Sequence, residues 1–400
     1  YMNILMVSEG YIPRVHGVST SIKTFRTSLQ QQGHNVDMVS PDYQQQIRDD
    51  PDIIRIPSRY LRLDPEDRMR KYGSIMALTD ELRSRNFNLL HIQTPFVAHR
   101  AGLQLAQRLD IPVVETYHTY FEEYLYHYVP FLPRRLMKAA ARHFTRTQCN
   151  RLDAVVVPSR AMRDVLVEYG VTVRHSIIPT GLELDSFVNG SGSRFRQAHG
   201  IDPGRPVLVH VGRVAHEKNI DFLIDVLSSL RGRFEEILLV IAGEGPARKS
   251  LQTRVVRDKL EANVMFVDYL PRGEQLWDCF RAGNAFVFAS STETQGLVLL
   301  EAMALDTPVV STAVMGTRDI LAAGKGCLVA ELDVADFTRK LTRLLDDSEL
   351  QATLGQDGKQ YVHEWSADAM TERMAGFYDS LLSADASASR ESLLPDQGSL

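Results

Sequence analysis

The segment "STETQGLVLLEAMALDTPVV", residues 291–310, carries most of the pattern of one βαβ unit. Residues 285–290, just before it, form an apolar run that predicts a strand. Residues 296–305 have no helix breaker after their first glycine and predict a helix, and residues 308–312 predict the next strand. The helix of such a unit begins beyond the carboxyl end of a strand, where its unpaired backbone N–H groups favour an anion.

Glu301 lies inside this predicted helix, which is apolar on nearly every side. Burying a carboxylate without a partner is unfavourable, so we expect a hydrogen-bond donor beside it. A ligand hydroxyl, a lysine or a backbone amide would each serve. The residues alone therefore fit both a structural glutamate and a ligand-binding one.

The alternation of strands and helices extends along the whole chain. The candidate strands form two series, the first at residues 2–8, 34–40, 88–93, 112–117, 153–159 and 175–180, and the second at 206–212, 237–243, 263–269, 284–290, 308–312 and 326–330. The turn-rich segment "VNGSGSRF" lies between the two series. This pattern predicts an α/β chain with two doubly wound domains, 1–187 and 188–364, whose ligands bind at the carboxyl ends of the strands.

The composition is that of an ordinary soluble globular protein, with 44% hydrophobic and 24% charged residues in a chain of 400. The three cysteines have no close spacing, so neither a disulfide framework nor a zinc site is predicted. No apolar run approaches the roughly 18 residues of a membrane-spanning helix, and the first residues lack the pattern of a secretory signal. These features favour a reducing, cytoplasmic setting and leave open an association with a membrane surface.

The charge is unevenly divided between the two predicted domains. Residues 1–187 contain 23 Lys and Arg against 20 Asp and Glu, a net charge of +3, and the remainder contains 22 against 30, a net charge of −8. The first domain is therefore the better partner for an anionic surface. Neither half is strongly basic and no nucleic-acid motif occurs, so a nucleic-acid partner is disfavoured.

Two loops of the second domain favour phosphate binding. The loop in "VHVGRVAHEKN" (209–219) places Arg213 and Lys218 five residues apart beside Gly212, and this combination can neutralise a diphosphate. The alternative is a solvated loop with a surface pair. Gly243 lies in the analogous turn "AGEGPARKS" (242–250), which by itself is a common type of turn.

Two loops of the first domain follow predicted strands. "EGYIPRVHGVSTSIKTF" (9–25) reaches a helix at Gly17, whose backbone can approach a phosphate or a sugar closely, and it lacks the dinucleotide and P-loop motifs. His118 comes directly after the strand at 112–117. A lone histidine is commonly a structural residue, but its place beyond a strand end also fits a catalytic role.

Taken together, "VGRVAHEKN", "AGEGP" and "ETQGLVLLE" resemble the signature of the family 4 retaining glycosyltransferases of the GT-B fold. The resemblance runs from "MNILMVSEGYIPRVHGVSTS" to "YVHEWSADAMTERMAGFY", nearly the whole chain. It implies two Rossmann-like domains that face each other across a cleft, the first for the acceptor and the second for a nucleotide sugar. We also expect a C-terminal helix at 365–383 that crosses back to the first domain, followed by a disordered tail at 384–400.

The resemblance also implies the roles of individual residues. Arg213 and Lys218 would hold the donor diphosphate, Glu301 the nucleotide ribose, and Glu293 the hydroxyls of the donor sugar. His118 would lie where the acceptor meets that sugar. With His118, Glu293, Arg213 and Lys218 as the catalytic set, the expected donor-binding residues are Gly17, Gly212, Arg213, Lys218, Gly243, Tyr269, Glu293, Thr294, Gln295, Gly296, Leu297 and Glu301. Many members carry two glycines in the first loop, where this chain has His16-Gly17.

No carboxylate stands out as an attacking nucleophile of the glycosidase type, so we infer attack on the same face from which the diphosphate leaves. The second domain has no Asp-x-Asp motif, and we expect neither a metal at the diphosphate nor a cofactor. "ETQGLVLLEA", "PTGLEL", "GVSTS" and "TYHTYFEEYLYHY" look most like bacterial diacylglycerol glucosyltransferases, which use UDP-glucose. The alternatives are a GDP-mannose-dependent mannosyltransferase and a catalytically silent nucleotide-sugar-binding protein.

A basic segment follows His118. No acidic residue occurs between Glu123 and Asp153, and the helix predicted there carries Arg134, Arg135, Lys138, Arg142 and Arg146. Apolar surface from Leu136, Met137, Ala140 and Phe144 and the aromatic run "YLYHYVPF" (124–131) suit a lipid headgroup region. We expect this segment to hold the protein on the inner face of the cytoplasmic membrane. The alternative is a solvated basic helix that packs on the domain core.

Overall fold

The structure is a computed structural model that describes residues 1–11, 17–42, 50–56, 58–61, 64–70, 72–118 and 134–391. The chain divides into two compact units. The first comprises Tyr1–Gly181 and the segment from Ala367 onward, and the second comprises Leu182–Ser366.

The first unit is built on a parallel sheet. Its strands are β1 (Asn3–Val7), β2 (Asn35–Pro41), β3 (Ile53–Ile56), β4 (Ser58–Leu61), β5 (Asp64–Arg70), β6 (Leu89–Ile92), β7 (Val113–Thr116), β8 (Ala154–Val157) and β9 (Arg174–Ile177). Within the described residues, seven of them form one sheet in the order β3-β2-β1-β6-β7-β8-β9, while β4 and β5 form a separate antiparallel pair. The chain moves outward on one side of β1 and then continues on the other side from β6, which defines a doubly wound sheet.

Helices connect these strands. They are α1 (Gly17–Gln31), α2 (Tyr72–Met76), α3 (Thr79–Ser84), α4 (Val97–Leu109), α5 (Arg134–Cys149) and α6 (Arg160–Glu168). The central strands β6 to β8 are buried at every position and mostly apolar because helices cover the sheet, and their buried polar residues are His91, Glu115 and Thr116.

The second unit repeats this design. Its strands are β10 (Val207–Val211), β11 (Leu238–Ala242), β12 (Val264–Val267), β13 (Ala285–Phe288), β14 (Val309–Ser311) and β15 (Cys327–Val329), all parallel, in the order β12-β11-β10-β13-β14-β15. Its helices are α7 (Gly192–Ala198), α8 (Ile220–Leu230), α9 (Arg248–Arg257), α10 (Glu274–Ala282), α11 (Leu297–Ala304), α12 (Thr317–Leu321), α13 (Val334–Asp346) and α14 (Ser348–Tyr361). Successive strand residues point to opposite faces, so Val207 and Val209 enter one hydrophobic cluster and Leu208 enters the other.

The last helix, α15 (Ala367–Glu391), belongs to the first unit. Its apolar residues recur at helical spacing and pack into the core of that unit; they are Met370, Met374, Phe377, Tyr378 and Leu381. The side chain of Tyr378 is fully buried.

All twelve predicted strands are present, and the structure adds three that were not predicted: the edge strand β3 and the pair β4 and β5. The first unit gives way to the second at residue 182, before the expected boundary at 187, because Leu182 and Phe187 are buried in the second unit's core and the Leu182 N–H donates to the Trp365 carbonyl. We expected disorder from residue 384, whereas the helix continues to Glu391 because no Gly or Pro interrupts residues 377–391. Residues 392–400 lie outside the described residues.

In the described part of the chain, no helix has both the length and the apolar character needed to cross a bilayer.

His210, in the centre of β10, makes the stability of the second unit depend on pH. The ring is fully buried beside Phe286 and Phe288, and its Nδ1 donates to the Val287 carbonyl at 3.1 Å. Burial, together with the charge of Lys218, lowers the pKa of His210 to about 4. Because the unfolded chain binds a proton near pH 6.5 and the folded unit does not until about pH 4, stability is present above pH 6.5 and is lost as the pH falls through this window.

We therefore predict that His210 removes about 2.5 kcal/mol of unfolding free energy between pH 7.5 and pH 4.5. Urea unfolding followed by tryptophan fluorescence measures this, since both tryptophans, Trp277 and Trp365, lie in the second unit. His210→Asn keeps a donor at the Nδ1 position and cannot be protonated, so its unfolding free energy should fall less over the same pH range. Identical pH slopes in the two proteins would show that His210 is not the group responsible.

Candidate functional site

Three adjacent strands of the second unit bring the predicted donor residues to one edge of the sheet. β10 pairs with β11 on one side and with β13 on the other, so the loops after these three strands lie next to one another at the carboxyl edge. The strand order reverses between β10 and β13, which is where doubly wound sheets bind their ligands.

Lys218 and Glu293 meet at this edge. Lys218 ends the short 3₁₀ helix His216–Lys218 after β10, and its Nζ donates to Oε1 of Glu293 in the loop after β13. About one fifth of each side chain is exposed. The Ser290 hydroxyl reaches the Glu217 carbonyl at 3.4 Å and further joins the two loops. Two residues that we predicted as ligands of different parts of the donor therefore form an ion pair.

Arg213 lies on the same loop as Lys218 but is mostly exposed, at 67% of its side chain. Its guanidinium is 3.9 Å from the Glu217 carboxylate, a distance at which an exposed ion pair contributes little. The structure therefore places one of the two predicted diphosphate ligands against a carboxylate and leaves the other facing solvent.

Gly212 and Gly243 begin two neighbouring loops with positive φ angles of 147° and 144°. A Cβ on Gly243 would lie 1.9 Å from the Gly212 carbonyl oxygen, whereas a Cβ on Gly212 would meet no atom within 4 Å. Gly243 is thus required for backbone packing between the loops. Gly212 borders open space, as expected for a glycine that lets a ligand approach the backbone.

The segment Thr294–Leu297 leads into α11, which begins at Leu297 after Gly296 in a left-handed conformation. The Glu293 carbonyl accepts the Gly316 N–H at 2.8 Å, and the Gln295 side chain is buried. These contacts fix the loop so that the first N–H groups of α11 lie at the carboxyl edge of the sheet.

Glu301 is buried within α11, and its partner is Arg272, a residue that was not predicted from the sequence. Arg272 comes from the loop between β12 and α10, and its guanidinium donates to Oε1 of Glu301. Burial raises the pKa of the Glu301 carboxyl, and the charge of Arg272 acts in the opposite direction. We expected ligand hydroxyls to satisfy this carboxylate, but in the structure an arginine already does. The turn "LPRGE" (270–274), directly after a predicted strand, was the available signal.

Tyr269 lies on the same loop as Arg272, with 61% of its surface exposed. An exposed aromatic ring beyond the end of a strand is available for stacking.

The first unit places His118 and Gln93 at the carboxyl ends of β7 and β6, which pair with each other. His118 Nε2 lies 3.1 Å from the Gln93 side-chain oxygen, and Gln93 is buried. His118 was predicted from the sequence as a site residue, whereas Gln93 was not, although Gln93 ends a predicted strand. Gly17 is the first residue of α1, and residues 12–16 before it lie outside the described residues.

His91 on β6 connects this region to the C-terminal helix. Its ring nitrogens lie 2.5 Å from the Tyr378 hydroxyl and 2.7 Å from the Thr116 hydroxyl. Burial, and to a lesser degree the charge of His118, lowers the pKa of His91 to about 3, so its ring is neutral at physiological pH.

The basic helix α5 is only partly as predicted. Arg135, Lys138 and Arg146 are exposed, and Leu136 exposes 61% of its surface. Arg142, however, pairs with Glu168 on α6 at 2.6 Å. Met137 was expected to add to the apolar membrane face, but it is buried, because that side of the helix packs on the domain core together with Ala141 and Cys149. The side chain of Arg134 and the aromatic run 124–131 lie outside the described residues.

Among the described residues, no group of three or more His, Cys, Asp or Glu side chains is arranged to hold a metal ion. Residues Asp50-Pro51-Asp52 of the first unit match the Asp-x-Asp pattern. Their carboxylates are engaged by other side chains, since Asp50 pairs with Arg26 at 3.1 Å and Asp52 accepts a hydrogen bond from Gln30 at 3.3 Å.

Comparison with known proteins gives matches over both units. The model of Glycosyltransferase Family 4 matches residues 15–186, and the model of Glycosyl transferases group 1 matches residues 192–361. The alpha-monoglucosyldiacylglycerol synthase of Streptococcus pneumoniae is 29% identical over 392 residues, covering 92% of this chain and 86% of that protein.

Two further matches are informative. The GDP-mannose-dependent alpha-mannosyltransferase of Corynebacterium glutamicum is 27% identical over 361 residues, covering 87% of this chain and 81% of that protein. Among solved structures, sucrose-phosphate synthase from Thermosynechococcus elongatus superposes with a TM-score of 0.74 and 20% identity, covering 96% of this chain and 100% of that one. At this identity the likeness supports the fold alone.

Proposed function

The chain belongs to the glycosyltransferases, as a hexosyltransferase of the GT-B fold with a Family 4 domain followed by a group 1 domain, and we propose that it transfers glucose from UDP-glucose to diacylglycerol with retention of the anomeric configuration. The donor is assigned to the carboxyl edge of the second unit and the lipid acceptor to the first.

The main support for this proposal is the ion pair between Lys218 and Glu293, which lies at the point where the strand order reverses. A diphosphate leaving group needs positive charge, and the hydroxyls of a sugar need a carboxylate that accepts hydrogen bonds. Lys218 and Arg213 supply the first and Glu293 supplies the second, on two loops that contact each other. Glu301, on the helix that follows, is assigned to the ribose.

The proposed mechanism needs no covalent enzyme intermediate. Glu293 is engaged by Lys218, so it is poorly suited to act as a free nucleophile. We propose that the acceptor hydroxyl attacks on the face from which the diphosphate departs, with Lys218, Arg213 and the N–H groups at the start of α11 stabilising the developing charge. In this mechanism cationic side chains replace a metal ion at the diphosphate, and His118 assists at the acceptor.

Glucose and diacylglycerol are proposed because the S. pneumoniae relative is named for this transfer and matches over 92% of the chain. The second candidate is mannosyl transfer from GDP-mannose, favoured by the C. glutamicum relative at 27% identity. Incubating the protein with radiolabelled UDP-glucose, UDP-galactose or GDP-mannose and a lipid extract distinguishes them. We expect label from UDP-glucose in the organic phase, whereas lipid label from GDP-mannose alone would establish the second candidate.

Access to a lipid acceptor would be provided by α5. Arg135 and Lys138 are exposed beside the exposed Leu136, and the helix is anchored to the core by its buried side. Each basic residue near an anionic surface contributes on the order of 1 kcal/mol, an attraction that salt weakens. We propose peripheral association with the inner face of the cytoplasmic membrane through this helix.

Changing Arg134, Arg135 and Lys138 together to serine is expected to abolish sedimentation with phosphatidylglycerol vesicles and transfer to vesicle-embedded acceptor, while UDP binding is unchanged. A matched control changes three exposed lysines of the second unit, Lys249, Lys259 and Lys325, to serine. If the first variant still sediments like the parent protein, α5 does not form the membrane contact.

A further inference from the structure

Arg272 is held at three points. Its guanidinium donates to Glu301, and its central carbon lies 5.6 Å from the ring centroid of Trp277 and 5.9 Å from that of Phe187. The two rings are themselves in contact, 4.4 Å apart, and both are buried in the core of the second unit. The Trp277 indole N–H donates to the Ser186 carbonyl at 2.8 Å and fixes the ring. Arg272 therefore rests on a rigid aromatic support.

The environments of the two partners differ. The Glu301 side chain is 8% exposed, whereas 39% of the Arg272 side chain is exposed. A carboxylate buried to this degree stays ionised only with a cation or several donors beside it. Among the described residues, the cation that forms an ion pair with Glu301 is Arg272.

A carboxylate has more acceptor positions than one arginine N–H uses. An ionised carboxylate accepts about four hydrogen bonds, and the Arg272 contact runs from a single Nη to Oε1. Glu301 can therefore retain Arg272 and still accept hydrogen bonds from the hydroxyls of a ligand. An arginine held by this contact and by the two aromatic rings also restricts the rotamers of Glu301.

We propose that Arg272 is a positioning residue for nucleotide recognition: it keeps Glu301 ionised and oriented so that the carboxylate binds the ribose hydroxyls of the donor. This inference rests on the assignment of Glu301 to the ribose in the proposed function. In this proposal Arg272, from the turn at 270–274, acts through its contact with Glu301.

Binding of UDP and of 2′-deoxy-UDP, measured by isothermal titration calorimetry, tests this. A hydrogen bond from a hydroxyl to a charged group changes affinity by about 10- to 100-fold, so the parent protein should prefer UDP over 2′-deoxy-UDP by at least about 10-fold. Arg272→Met keeps the apolar stem and removes the charge. In this variant the preference should fall below about 3-fold, while affinity for 2′-deoxy-UDP changes less than about 3-fold. Arg272→Lys should restore part of the preference.

A matched control is Arg281→Met, because Arg281 pairs with Asp306 at 3.4 Å and is exposed to a similar extent, at 37%. This control should keep the full preference for UDP. Equal losses of affinity for UDP and for 2′-deoxy-UDP in Arg272→Met would show that Arg272 has only a structural role. Tighter binding of UDP in this variant would show that Arg272 competes with the nucleotide for Glu301. Either result overturns the proposal.

The variant Glu301→Gln distinguishes a failure of the role proposed for Arg272 from a failure of the ribose assignment for Glu301. If Glu301→Gln keeps the preference for UDP, the ribose assignment itself fails. If Glu301→Gln loses the preference and Arg272→Met keeps it, the ribose assignment stands and only the role of Arg272 is wrong.

Discussion

Replacing Lys218 with alanine is expected to lower kcat/KM for sugar transfer by roughly 30- to 1,000-fold, equivalent to about 2–4 kcal/mol of transition-state stabilisation. The physical reason is the loss of a preorganised charge at the leaving diphosphate. Arg213→Ala is expected to act in the same direction, because the second cation of the loop serves the same group. Steady-state kinetics with UDP-glucose and vesicle-embedded diacylglycerol measures both variants.

The matched control for Lys218→Ala is Lys359→Ala, which removes another lysine of the second unit that pairs with a carboxylate, Asp306 at 3.0 Å. This control should retain parental kinetics. Near-normal turnover in both Lys218→Ala and Arg213→Ala, with or without added magnesium, would refute the assignment of these residues to the diphosphate.

Substitutions of the two glutamates are expected to impair different properties, the rate of transfer for Glu293 and the affinity for UDP for Glu301. Glu293→Ala should reduce the rate of transfer by about 10- to 100-fold, the value of a hydrogen bond to a charged group, and leave affinity for UDP unchanged or slightly tighter. Tighter binding has a specific cause, because loss of Glu293 releases the Lys218 ammonium from its ion pair. Glu301→Ala should instead weaken the binding of UDP itself.

Calorimetric titration with UDP, combined with single-turnover transfer rates, distinguishes the two effects. Equal losses of UDP affinity in Glu293→Ala and Glu301→Ala would contradict the division of roles. Thermal unfolding of both variants provides the control for folding, since Glu301→Ala also leaves Arg272 without its carboxylate.

Twelve of the thirteen strands described in the two parallel sheets were predictable because their sequences are short, mostly apolar runs that alternate with helical segments, whereas the edge strand β3 was not predicted. That pattern also places His118, Arg213, Lys218 and Glu293 in loops that follow strands, whereas the roles predicted for them come from the family resemblance. The pairing of Lys218 with Glu293 was harder to predict from the sequence, because the two residues are 75 positions apart and come together only because β10 and β13 are neighbours in the sheet.

Arg272 shows why part of the site could not be predicted. The need for a donor beside Glu301 was evident from burial, but the sequence contains many arginines, and the choice among them depends on the loop geometry between β12 and α10. Similarly, the helical spacing of α5 did not reveal which apolar residues face the core, and Met137 was assigned to the wrong side. The sequence pattern predicts that Glu301 needs a partner and that α5 has a buried face, but the packing of the folded chain determines which residues fill these roles.

The structure of the lipid product formed from UDP-glucose and diacylglycerol vesicles tests the proposed retaining transfer most directly. The product is purified from the organic phase, and proton NMR gives the configuration at the anomeric carbon. We expect a glucosyl diacylglycerol with the α configuration of the donor, formed by the parent protein and strongly reduced in Lys218→Ala. A β-linked product, or hydrolysis of UDP-glucose without any lipid product, would contradict it.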